Sequence, residues 1–299
     1  MSEAERITRA LGGEWRAGSG LAPCPVCQPE GRKDQRALSL SDKGGKFLVH
    51  CHKGGCAVLG ELQARGLAEG HGVASVATNP AEAERRRQEE KRKDAQRLKS
   101  AHYLFAGGIS CEGTAAQTYL ESRGIVGLRF AKMQNTLRFH PSALHSPSGL
   151  NLPAMLAQIR GPKGEALGLH RTYLRPDGKG KADIAPAKMM LGPSAGGAVR
   201  FGPDSGVIAL AEGIETALSV SRASRLTVWA TLSTSGLKGL ILPTAPVAEV
   251  VIICADNDEA GIAAAEVAAG RIEAEGRAVS IVHPLKAGAD FNDVLRGEA

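Results

Sequence analysis

The strongest constraint on this fold lies between Val207 and the C-terminus, where three short apolar runs each lead into acids. VIALAE (207–212) ends on Glu212, EVVIIC (249–254) runs into Asp256 and Asp258, and AVSIVH (278–283) into a loop carrying Asp290 and Asp293. The first two are followed by segments of helical composition, GIETALSVSRA and EAGIAAAEVAAGRIEAEG, and the third by the short NDVLRG. A further run, VWATL, precedes a Gly-containing loop and LKGLIL. Apolar runs of this length, alternating with helices, read as buried strands of a parallel sheet with helices on its faces. Acids that follow parallel strands gather at the carboxyl edge, where open α/β sheets bind ligands.

Asp and Asn at such positions also serve as turn and helix-cap residues, and one of them alone says little. Five or six converging carboxylates repel, and they either take up protons or bind cations. Oxygen ligands with Asn nearby suit Mg²⁺ or Mn²⁺ rather than zinc. Divalent cations clamp phosphoryl oxygens during in-line displacement. Glu212, on a Gly-flanked turn, is placed to take or give a proton there. The expected chemistry is the making or breaking of phosphodiester bonds, with Glu212, Asp256 and Asp258 as catalytic residues and Asp290 and Asp293 as further cation ligands.

Cysteine usage points to a second metal. Four of the six cysteines lie within residues 24–56, as CPVC (Cys24, Cys27) and HCHKGGC (Cys51, Cys56), with strand-like patches between the pairs. Two close pairs brought together by tight turns are the donor set of a tetrahedral zinc ribbon. Four thiolates need no further assumption, although His50 or His52 offers a substitute ligand. Cys111 and Cys254 stand alone and read as small core residues.

Charge and composition organise the remainder. The net charge is +6, with 8 basic and 13 acidic residues in 200–299. An acidic C-terminal third beside a basic remainder suits an anionic partner. Residues 1–15 read as a helix carrying Ile7, Ala10 and Leu11 on one face, and 57–67 as another. Residues 69–80 are small and polar, a hinge signal. The following stretch, with 8 basic and 3 acidic residues in 85–99, reads as a charged helix able to touch a phosphate backbone. Residues 100–200 contain a helix ending near Gly124 and strand-like runs broken by GPKGE and RPDGKG, a mixed α/β region with an antiparallel sheet. The charged N-terminus lacks a signal-peptide core, and no apolar run approaches the span of a bilayer. A cytoplasmic location without membrane association is expected.

The motifs AEGIETALS (211–219), ADNDEAG (255–261) and DFNDVL (290–295), in that order, resemble a Toprim domain, the metal-binding fold of bacterial-type primases, type IA and II topoisomerases and some nucleases. The N-terminal cysteines resemble the zinc-binding domain of bacterial-type and phage primases. LRFHP, HRTYL and PAKMMLG look like segments that precede the Toprim motifs in mobile-element primases.

This resemblance implies four parts: a zinc ribbon at 1–68, a charged hinge and helical linker at 69–100, the first part of a primase core at 101–204 and a catalytic Toprim domain at 205–299. It implies Glu212 as the catalytic glutamate and Asp256 and Asp258 as the metal-binding DxD. Asp290 and Asp293 match a third acidic motif less closely. Cellular primases carry a second acid four residues after the glutamate; here Thr216 stands there, and Glu215, one residue earlier, is taken as the cation ligand. His170, Arg171, Tyr173 and Lys188 are the implied nucleotide contacts, with basic groups suited to triphosphate oxygens.

The function expected is primer synthesis from ribonucleoside triphosphates on single-stranded DNA, with one structural Zn²⁺ and catalytic Mg²⁺ or Mn²⁺. A Toprim nuclease and a non-catalytic zinc-ribbon module that binds nucleic acid are the rivals. A topoisomerase is disfavoured, because Tyr103, Tyr119 and Tyr173 are the only tyrosines and a further DNA-binding domain would be needed. No Walker A motif occurs, so unwinding is expected from a replicative helicase partner.

Overall fold

The computed structural model describes residues 2–28, 36–43, 46–53, 56, 58–68 and 80–299. It divides into two compact units, Met1–Gln88 and Glu89–Ala299. The expected hinge falls largely outside the described residues.

The N-terminal unit starts with α1 (Glu3–Ala10), followed by β1 (Glu14–Arg16), β2 (Ser19–Ala22), β3 (Leu38–Lys43), β4 (Lys46–Cys51) and α2 (Val58–Ala64). The four strands form one antiparallel sheet in the order β1-β2-β3-β4. The first helix is shorter than the expected 1–15. Ser2 caps it through its hydroxyl, and it ends before Gly12, which adopts φ 71°. Residues 14–16 then join the sheet. Gly20 is what lets α1 sit on β2, since a Cβ there would lie 2.0 Å from Thr8 Oγ1. Ala4, Ile7, Leu38, Leu40 and Leu62 form the core between helices and sheet.

A long helix, α3 (Pro80–Ala106), carries the basic stretch. Then follow α4 (Ala115–Ser122), a 3-10 turn at Phe130–Lys132, and the meander β5 (Leu137–His145), β6 (Leu150–Arg160), β7 (Ala166–Tyr173) and β8 (Lys188–Leu191). These four strands are antiparallel in chain order. The register shifts between His140 and Ala143 in β5, around Pro141, which has no N–H to give the ladder.

The last sheet contains β9 (Val199–Phe201), β10 (Val207–Ala211), β11 (Thr227–Ala230), β12 (Val250–Cys254) and β13 (Ala278–Val282). Its order is β13-β12-β10-β11-β9, all parallel except the edge strand β9. Its helices are α5 (Ile214–Ser224), α6 (Thr234–Gly239), α7 (Glu259–Ala274) and α8 (Phe291–Arg296). One sheet face packs Ile208, Leu210, Trp229, Val251 and Ile253 against α6 and α7. The other packs Ala209, Ala211, Val228, Ala230 and Cys254 against α4, α5 and the meander. Burial on both faces explains why these strands read as continuous apolar runs. Cys111 and Cys254 are buried in this second core. Among the described residues, no helix is long and apolar enough to cross a membrane.

Candidate active site and metal centres

Strand order fixes where the acids meet. From β10 the chain steps outward to β11, returns past β10 to β12, and steps outward the other way to β13. The order therefore reverses between β10 and β12, the point where open α/β sheets leave a crevice at their carboxyl ends. Ala211 pairs with Cys254 there. Glu212 is the next residue on one strand, and Asp256 lies two past the pairing on the other, with about 4.8 Å between strands. Both are half-buried.

The loops bearing the acids are tied by side chains. Asn257 donates through Nδ2 to Pro284 O at 2.9 Å, its N–H reaches Ala289 O at 2.9 Å, and its carbonyl accepts from Gly288 N at 2.6 Å. This joins the loop after β12 to the one after β13. Asn292, fully buried, donates to Arg123 O at 2.8 Å and to Ser219 Oγ at 3.0 Å, fixing α8 against α5 and the end of α4. The sequence suggests these asparagines only as companions of the oxygen ligands, not as ties between loops; their place inside ADNDEAG and DFNDVL is the available signal. Gly261 permits the tight turn of ADNDEAG, because a Cβ there would lie 2.6 Å from Asp256 O.

Three acids double as caps. Asp258 Oδ1 accepts from Gly261 N at 2.6 Å at the start of α7. Asp290 and Asp293 form a reciprocal capping box on α8, and Asp290 Oδ2 also accepts from Thr216 Oγ1 at 3.3 Å. Asp256 is different: its Oδ1 is buried and has no hydrogen-bond partner. Burial first, then Asp290, Glu212, Asp258 and Asp293, push its carboxyl up to about 7. Burial and Asp258 also raise Glu212, against an opposing pull from Lys188. A lone buried oxygen amid mutually repelling carboxylates is the kind of donor a hard dication takes, although among the described residues these acids are not drawn together as closely as the four cysteine sulfurs of the N-terminal unit.

Glu215 is placed otherwise. It is 5 % exposed; Oε1 accepts from Tyr119 OH at 2.5 Å, and Oε2 lies 3.3 Å from Lys188 Nζ. Burial pushes its carboxyl up, yet Lys188, the Tyr119 hydroxyl and Lys181 outweigh that and hold it at about 2.

The four residues expected to contact nucleotide separate by face. His170 and Lys188 belong to the meander face that looks toward α5, since Thr172 pairs with both Met155 and Lys188. His170 is buried, and burial followed by Lys188 lowers it to about 4, so its ring is neutral. Arg171 and Tyr173 lie on the other face, beneath Ala101 and Phe105 of α3. Arg171 donates to Leu144 O and Met190 O, and Tyr173 OH donates to Leu144 O at 2.6 Å. These two side chains brace the meander. His145 is buried against Tyr173 and bonds Ser148 and Pro186 O.

Next to this network is an open cleft of about 310 Å³ lined by Tyr119, Ser122, Arg123, Lys179, Lys181 and Arg296. Its lining has four cationic side chains and no acid. Burial and then Lys188 lower the Lys181 ammonium, the mark of crowded positive charge.

In the N-terminal unit, Cys24 and Cys27 flank the turn after β2, Cys51 ends β4, and Cys56 precedes α2. Their sulfurs all lie within 4.8 Å of one another, the one such group of three or more among the described residues. The Cys27 and Cys51 sulfurs are 3.7 Å apart; thiolates around tetrahedral zinc, with bonds of about 2.3 Å, stand about 3.8 Å apart. Burial and the neighbouring sulfurs push the Cys27 thiol up to about 12, crowding that a cation relieves. The histidines stay outside this group, with His52 Nε2 3.0 Å from Ser39 Oγ.

Residues 207–299 match the Toprim domain family, and residues 95–201 match a domain of unknown function, DUF7146. No curated protein matches the sequence. Similar solved structures include the zinc-binding and RNA polymerase domains of Aquifex aeolicus primase, at 16% identity over 99% of this chain and 80% of that one, TM-score 0.47. A DNA primase domain from Pseudomonas aeruginosa shares 19% identity over 69% and 74%, TM-score 0.45. The primase fragment of the bacteriophage T7 primase-helicase protein shares 16% over 93% and 95%, TM-score 0.42.

Proposed function

We propose that this chain, which carries a Toprim domain behind an N-terminal cluster of four cysteines, is a primase that joins ribonucleoside triphosphates into short RNA on single-stranded DNA. The observation that carries the reading is the acidic rim at the strand-order reversal, with the buried, unpartnered Oδ1 of Asp256 at its centre.

Each group has work to do in nucleotidyl transfer. Glu212, with its carboxyl raised above the ordinary range, accepts the proton of the attacking 3′-hydroxyl. Glu212, Asp256, Asp258 and Asp290 would hold Mg²⁺ or Mn²⁺, which when bound supplies charge neutralisation at the phosphoryl oxygens. Lys188 and neutral His170 stand at the inner wall and take the α-phosphate side of the nucleotide. Arg123, Lys179, Lys181 and Arg296, in the adjoining cleft, grip the rest of the triphosphate, where forked guanidinium donors fit phosphate oxygens. The four cysteines would hold one structural Zn²⁺, which folds the turn-rich N-terminal unit. That unit would help select the start site. We assign strand opening to a separate replicative helicase.

Primer synthesis on single-stranded template, with and without ribonucleotides and Mg²⁺, tests the reading. Short RNA should form in the full chain and be lost in Glu212→Gln and Asp256→Ala. Normal priming by both variants defeats the site assignment. Cleavage of labelled DNA with Mg²⁺ and no nucleotides would favour the nuclease instead.

A further inference from the structure

We infer that Glu215 is a positioning residue: it holds the Lys188 ammonium beside the acidic rim, and it does not ligate the cation. The inference rests on the rim being the site of phosphoryl chemistry. It departs from the motif-based expectation, which made Glu215 a ligand.

Both carboxylate oxygens of Glu215 are already engaged, by donors from two other elements. Tyr119 of α4 donates its hydroxyl to Oε1 at 2.5 Å, and Lys188 of β8 places Nζ 3.3 Å from Oε2. A cation bound at Glu215 would have to share an oxygen with one of these donors and would stand beside the Lys188 ammonium, which repels it. Losing either donor to make room would leave the buried Tyr119 hydroxyl or the ammonium without its partner, and unpaired buried polar groups are costly. Neighbouring groups favour the same pairing. His170, neutral and facing the pair, offers no second cation to compete for Glu215. Lys181 stands close enough to Lys188 to repel it, so without Glu215 the two ammonium groups would separate.

The pairing has a consequence at the rim. Lys188 is within electrostatic reach of Glu212 and lowers its carboxyl, while its side chain keeps 38 % exposure. It is therefore anchored at one side and open at the other. A lysine has much rotamer freedom, and fixing it before substrate arrives removes an ordering cost from the reaction. Glu215 thus ties the antiparallel meander to the parallel sheet beside the acidic rim.

Three measurements on the full chain test this. Mn²⁺ binding, followed by electron paramagnetic resonance, should be unchanged within about twofold in Glu215→Gln and weakened at least about tenfold in Asp256→Asn. The Gln side chain can still accept from Tyr119, which keeps the fold. In primer synthesis, Glu215→Gln and Lys188→Met should each lower kcat/KM for ribonucleotides on the order of 100-fold, and the double variant should fall no further than either. After reductive ¹³C-methylation, the Lys188 resonance should move in Glu215→Gln. A tenfold loss of Mn²⁺ affinity in Glu215→Gln, losses that multiply in the double variant, or an unmoved Lys188 resonance would each overturn the inference. The first and third readouts need no catalysis. A wild-type chain that makes no primers would therefore refute the proposed function while leaving Glu215 tested.

Discussion

Replacing Asp256 with Asn should make the metal-free C-terminal unit more stable. In the folded chain the Asp256 carboxyl titrates at about 7 against an ordinary 3.8, through burial and then the charges of Asp290, Glu212, Asp258 and Asp293. Across that window the folded state holds a proton that the unfolded state has released. Stability therefore falls as pH rises, with the full contribution present below 3.8 and lost above about 7. At about 1.36 kcal/mol per decade, ionising this group at about pH 8 would cost the folded state as much as about 4 kcal/mol. The carboxyl is half-open to water, and screening reduces this to about 2 kcal/mol. For a unit of this size that is a rise in Tm of about 4–8 °C on substitution. Added Mg²⁺ should reverse the order, since a cation at about 100 times its Kd stabilises the protein that binds it by about 2.7 kcal/mol. The assay is thermal melting followed by circular dichroism, in metal-free buffer and in Mg²⁺, from acid to alkaline pH. The gap between variant and wild type should close toward acid pH. An Asp256→Asn protein that melts at or below wild type at alkaline pH without metal, and responds to Mg²⁺ as wild type does, would refute the electrostatic account of the rim.

Two further substitutions probe the frame around these sites. Cys27→Ser should reduce bound zinc from one per chain to none, read by inductively coupled plasma mass spectrometry. Structural zinc contributes about 10–16 kcal/mol, so limited proteolysis should digest the N-terminal unit first and leave Glu89–Ala299 intact. Gly261→Ala would put a Cβ 2.6 Å from Asp256 O; it should cost about 1–3 kcal/mol in chemical denaturation and weaken Mn²⁺ binding. Gly270→Ala on the same helix meets nothing within 4 Å and should stabilise by about 0.5–1 kcal/mol.

The parallel sheet was legible because its strands are buried on both faces, and continuous burial writes itself as continuous apolar runs. The acidic edge followed, since parallel strands leave no choice of end. What periodicity could not supply was which face of β7 looks toward the site. Strand alternation puts His170 opposite Arg171 and Tyr173, but α3 covers the second pair, and that packing joins segments about seventy residues apart in the chain. Partners were equally hidden. Tyr119 and Glu215 are 96 positions apart, and nothing local in either segment announces the bond. The end of α1 was missed for a different reason: Ile7, Ala10 and Leu11 keep helical spacing while Gly12 turns the chain away.

The pairing of Glu215 and Thr216 gives the departure from the primase motif a physical meaning. Consecutive residues on a helix point about 100° apart. In α5 the direction of residue 216 leads to the acidic loop, where Thr216 Oγ1 donates to Asp290 Oδ2. The direction of residue 215 leads to Tyr119 and Lys188. An acid at 216 would add charge to a rim where Asp256 already titrates near neutrality. An acid at 215 instead answers cations supplied by the meander. The carboxylate at 215 meets Lys188 Nζ at 3.3 Å, and at 216 a hydroxyl makes the hydrogen bond to the acidic loop.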